Sequence, residues 1–202
     1  MTDRLRQEID DILQHMERRE EEPPSDPGES IAVTCLYHSA DDRDWQRLQQ
    51  HLKAVQWQFQ QESQRTVTWA TYELNPKEPA AYREVLTQAR QAILHAHIIL
   101  IALSVDMQLT LQQHPRLDNT LLSRVAQAEQ KKNTDHPPHV AGILMKAILW
   151  DRQRFLGMEL LPRYQEPLAT QHRKDAACVE IARHVLACAQ ATDRVFQAAA
   201  EH

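Results

Sequence analysis

The chain has 202 residues, 42% of them hydrophobic and 25% charged, with a formal net charge of −5 at pH 7. That suits one domain with a sizeable core and a short appendage. Only Gly28, Gly142 and Gly157 are glycines, so neither a Gly-rich phosphate loop nor a G-x-G-x-x-G dinucleotide motif is present, and the lack of a basic run argues against a nucleic-acid surface.

No uncharged apolar run approaches bilayer length, and the opening MTDRLRQEIDD is charged, unlike a signal peptide. A cytoplasmic protein with no membrane segment is expected. Cys35, Cys178 and Cys188 form no C-x-x-C pair and are expected to be reduced.

Along residues 1–19, Leu5, Ile9, Ile12, Leu13 and Met16 share one helical face, predicting an amphipathic helix of about five turns. Either that helix packs on its own domain or it pairs with a partner chain or a second copy. Residues 20–30, rich in Pro and Glu, read as a linker. The domain proper is expected over 31–202.

It opens with a short, β-branched apolar run at 31–37, the pattern of a strand covered on both faces. Ser39, Ala40, Asp41 and Asp42 then form a polar corner able to cap a helix. Trp45, Leu48, Leu52, Val55 and Phe59 recur at helical spacing behind it, predicting a helix over 42–55. A strand at 66–70, a helix at 80–95, a strand at 97–104, a helix at 117–132, a strand at 140–149, a short strand at 167–170 and a helix at 174–198 follow. The last carries Cys178, Ile181, Ala182, Val185, Ala189 and Phe196 on one stripe. The Pro-bearing segments 112–116 and 133–139 read as loops. Such alternation predicts an α/β fold, a parallel sheet with helices on both faces.

In such sheets ligands bind beyond the carboxyl ends of the strands, where the strand order reverses. That rim gathers Tyr37, His38, Ser39 and Asp41 after strand one, Trp69 and Tyr72 after strand two, and Ser104, Asp106 and Met107 after strand three. These groups suit a nucleotide; equally, Ser39, Asp41, Ser104 and Asp106 are ordinary helix caps. The pairs His95/His97 and His136/His139 lack cysteine or carboxylate partners at ligand spacing, so no metal site is expected. A phosphoacceptor domain of this topology is disfavoured. It needs acids directly ending strand one, an aspartate ending strand three and a lysine ending strand five, whereas Asp41 and Asp42 come late, Asp106 lies past its strand and no lysine ends 167–170.

The stretch YHSADDRDWQRLQQHL, through Tyr37, Asp41, Trp45 and Leu52, resembles the opening of bacterial TIR domains. Tyr82, Glu84, Ala96-His97-Ile98 and Ser104-Val105-Asp106-Met107 resemble the family's W-x-x-E-I-x-x-A-L helix and its A-D-I-hydrophobic-S-x-D-F strand. VAGILMKAILW, from Val140 to Trp150, resembles the strand written V-I-P-I-I-L-R-P-C-D-W. Leu161-Pro162, Pro167 and residues 174–182 resemble the last loop, edge strand and helix. The blocks run in order from about 31 to 190.

This resemblance implies the flavodoxin-like strand order 2-1-3-4-5. It also implies that 70–79 is the family's contact loop, with Tyr72, Glu73, Leu74, Asn75, Pro76 and Lys77 meeting a partner. Its two prolines and lack of glycine make it stiffer than usual and suited to a preformed contact surface. Catalytic members carry a glutamate on the helix after strand three, where a carboxylate can stabilise positive charge on ribose as nicotinamide leaves. Here that place falls near Leu117 or near Ser123 to Val125, and Asp118 is the nearest acid. The expectation is therefore a TIR-like signalling or defence module that forms homo-oligomers or contacts other TIR proteins and has no resident cofactor. The alternative is an NAD hydrolase or nucleotide-binding TIR domain, with NAD as substrate or ligand and a non-standard acid such as Asp118.

Overall fold

The computed structural model describes residues 30–63, 65–77, 79–130, 137–148, 158–163 and 166–200. The predicted helix 1–19 and the linker up to residue 29 lie outside them, as does His136. The elements are β1 (Ser30–His38), a 3-10 turn (Ser39–Asp41), α1 (Asp42–Glu62), β2 (Thr66–Leu74), α2 (Pro79–His95), β3 (Ile98–Leu103), α3 (Val105–Gln113), α4 (Pro115–Glu129), β4 (His139–Leu144), β5 (Glu159–Leu161) and α5 (Lys174–Ala200).

The five strands form one parallel sheet in the order β2-β1-β3-β4-β5 with helices on both faces, as the alternation and the resemblance implied. In register, Val33 of β1 lies opposite Ile98 of β3, and Ile98 opposite His139 of β4. Because strand side chains alternate, the central strand β3 serves two cores. Ile98, Leu100 and Ala102 join Trp45, Leu48, Phe59, Ile181 and Val185 under α1 and α5. Ile99, Ile101 and Leu103 join Ile93, Leu117, Leu121 and Val125 under α2 and α4. All six β3 residues are buried, which is why this strand shows a continuous apolar run.

Several boundaries differ from those expected, among them α1, which runs to Glu62 rather than 55. β2 runs on to Leu74, so Tyr72, Glu73 and Leu74 are strand residues and the expected loop contracts. The expected loop 112–116 contracts to His114, because Pro115 starts α4 directly, where its missing N–H and fixed φ suit a first helical position. The helix expected from 117 is preceded by α3. The edge strand lies at 159–161 rather than 167–170, and β4 stops at Leu144. Residues 168–170 form a turn, although the N–H groups of Leu168 and Ala169 donate to the carbonyls of Leu144 and Met145 at 2.8 and 2.9 Å. That backbone contact continues the end of β4 without becoming a strand. Among the described residues no helix is long and apolar enough to cross a membrane.

Candidate functional site at the strand-order reversal

The order reverses between β1 and β3, and their carboxyl ends converge on Asp41. The 3-10 turn after β1 is held by His38, whose Nδ1 accepts the Ala40 N–H at 3.0 Å. This turn places the Asp41 carboxylate inside the protein, with its side chain wholly inaccessible. Asp41 stands at the α1 N-cap position but makes no side-chain cap bond. Its oxygens go elsewhere.

Ser104 follows β3 and caps α3: its Oγ accepts the Met107 N–H at 3.3 Å and donates to Asp41 Oδ2 at 2.5 Å. Lys146 follows β4. Its Nζ lies 2.7 Å from Asp41 Oδ1 and 3.6 Å from Asp106 Oδ2, and donates to the Ala40 carbonyl at 3.0 Å. Partial burial acts to lower the Lys146 pKa, but the two carboxylates outweigh it and hold the ammonium above its ordinary value. The rim is thus closed by a carboxylate, a hydroxyl and an ammonium satisfying one another, an arrangement that strengthens as water is excluded.

Around this centre the expected rim residues divide. Tyr37 stacks on Trp45 with ring centroids 5.1 Å apart and donates its hydroxyl to Glu73 Oε2 at 3.1 Å. Burial, then the neighbouring Glu73 charge, pushes the Tyr37 pKa up. Ser39 lies in the 3-10 turn and Asp106 in the first turn of α3. Trp69 and Tyr72 do not meet: Trp69 packs against the core under α1 and α5, Tyr72 against the opposite core. An odd separation in a strand sends side chains to opposite faces. Trp69 lines a cavity of about 100 Å³ with Cys35, Trp45 and Thr71. Tyr72 and Glu73 line one of about 290 Å³ with Asn75, Tyr82 and Val85.

Asp118 is buried in the first turn of α4 and is not among the partners of Asp41, Ser104 or Lys146. Leu74 is buried and unfit for partner contact, whereas Pro76 and Lys77 are exposed in a turn where Asn75 Oδ1 accepts the Lys77 N–H at 3.1 Å. His97 Nδ1 accepts the Ala32 N–H at 3.0 Å, a structural use of that ring. Among the described residues, no three His, Cys, Asp or Glu side chains converge as metal ligands.

Lys146 is the residue that sequence reasoning missed. Its signal is a lone lysine in the apolar run VAGILMKAILW, a run whose pattern alone predicts one strand over 140–149. The lysine sought at the end of the last strand comes instead after β4.

Fold and site together define a doubly wound, five-stranded α/β domain with a buried acid paired to a half-exposed lysine at its switch point. No family model, no curated protein and no solved structure matches the chain.

Proposed function

We propose that this protein is a TIR-like signalling or defence module that works by contact, with other TIR domains or with a second copy of itself. The observation that carries this reading is the surface beside the rim. Val105 and Leu109, one turn apart at the start of α3 beside Asp106, are each half-exposed, so an apolar patch lies next to the rim. The rim acid is meanwhile occupied, since Asp41 is tied to Ser104 and Lys146. Two further features support the reading: the four ordered blocks of resemblance, and β2 as a nine-residue strand at the sheet edge, where open backbone groups favour strand pairing.

Light scattering across a range of protein concentrations tests the proposal. The wild type self-associates, alone or with a partner TIR domain, and Leu109→Asp loses that association while keeping its melting temperature. Nicotinamide release from NAD is measured on the same samples. Turnover that rises steeply with concentration and is lost in Asp118→Ala would replace this reading with the NAD hydrolase.

A further inference from the structure

A second site lies away from the rim, in a groove of about 460 Å³ between α2 and the corner where α3 meets α4. Arg83, Leu86 and Arg90 line it from α2, and His114, Arg116 and Leu117 from the corner. None of its lining residues is acidic. The sequence has no basic run, yet the fold gathers three guanidiniums here.

Several of the chain's other cations are held by acids: Arg65 by Asp193, Lys174 by Asp44, Lys146 by Asp41. Arg83, Arg90 and Arg116 have no ion pair or side-chain hydrogen bond among the described residues, and the Arg90 Nε is buried with no acceptor. A buried guanidinium N–H without a partner carries the desolvation cost of a charged donor, so natural folds rarely leave one unless something else supplies the acceptor. Arg83 and Arg90 are two turns apart on one face, about 10 Å along the helix, and Arg116 stands on the other wall. Guanidinium forks so placed match the paired oxygens of phosphates. Leu86 and Pro115 add apolar wall between them. The volume falls within the range of roughly 300–1,000 Å³ usual for small-molecule sites.

We infer that this groove binds a phosphate-bearing small molecule with an apolar body, of nucleotide size, separately from the rim. The phosphates meet Arg83, Arg90 and Arg116, and the body lies on Leu86 and Pro115. Isothermal titration of the full chain with ADP at low salt tests it. One molecule binds per chain; inorganic pyrophosphate binds more weakly, and Arg90→Gln and Arg116→Gln each weaken ADP about tenfold or more. Arg116 is exposed, so its variant leaves the fold intact even if Arg90→Gln does not, and Arg116→Lys fails to restore the loss. The inference is overturned by no saturable ADP binding at millimolar concentration, by binding indifferent to both substitutions, by pyrophosphate binding as tightly as ADP, or by a polyglutamate peptide binding more tightly than ADP.

Discussion

The Asp41 carboxylate and the Lys146 ammonium meet at 2.7 Å, although they follow different strands, β1 and β4, with β3 between them. The acid is wholly inaccessible, while the lysine keeps 40% of its side-chain surface in solvent. The lysine reaches inward to a charge that Ser104 alone would leave half-satisfied.

Removing Lys146 should therefore cost more than removing a surface cation. A buried carboxylate that loses its partner destabilises by about 3–5 kcal/mol, and the exposed side of Lys146 reduces this to about 2 kcal/mol for Lys146→Met. Asp41→Asn/Lys146→Met should recover much of the loss, because neither charge is then stranded. Urea unfolding of the single and double variants measures both effects. A loss for Lys146→Met below about 0.5 kcal/mol, the scatter of ordinary surface changes, would show that water serves Asp41 as well as the lysine does.

Acid sensitivity should trace in part to His184, which lies 3.5 Å from Glu159. Burial lowers its pKa by more than the Glu159 charge raises it, so the folded state disfavours the imidazolium. The unfolded chain then takes up the proton first as pH falls. The contribution is complete above the ordinary histidine value of about 6.5 and is lost as pH drops below it through the lowered folded value. The unfolding midpoint should fall less between neutral and mildly acidic pH in His184→Gln than in the wild type. Parallel pH profiles would contradict this.

Gly142 sits in β4, where a Cβ would stand 2.5 Å from Leu103 Cδ1 and 3.0 Å from Met158 Cε. Both neighbours are buried side chains, so they must move within packed surroundings. Gly142→Ala should destabilise by about 1–3 kcal/mol, measured by denaturant unfolding, and Leu103→Val on the same background should return part of it. No change would mean that Leu103 relaxes freely.

The cysteines should be silent in the folded protein. All three are buried, and none forms a disulfide among the described residues. Burial pushes the Cys35 thiol up to about 12, and burial with the nearby Asp175 charge pushes Cys178 up to about 11. Since the thiolate is the reactive form, iodoacetamide at neutral pH should add nothing to native protein within minutes and three labels after unfolding, counted by mass spectrometry. Rapid native labelling at Cys35 would show that the β1 strand opens locally.

Much of the fold was legible because burial writes itself into spacing. The five residues on the predicted stripe of α1, Trp45, Leu48, Leu52, Val55 and Phe59, are the five that are buried, and the apolar run of β3 is buried at every position. Boundaries were less legible where backbone contact rather than side-chain pattern sets them. β2 runs past its apolar centre into Glu73, and residues 168–169 bond to the end of β4 without becoming a strand.

The sequence by itself determined the alternating α/β class, the buried stripes of α1 and α5 that fill one of the two cores, and the polar corner after β1, since local periodicity and capping chemistry act within a few residues. The strand order, implied only through resemblance, is fixed by which strands hydrogen-bond. Only the tertiary structure brought Lys146 to Asp41, separated Trp69 from Tyr72 across the sheet, and drew Arg83, Arg90 and Arg116 around one groove. Those relationships join side chains from different elements, and charge leaves no periodic trace of which partner, if any, it will meet.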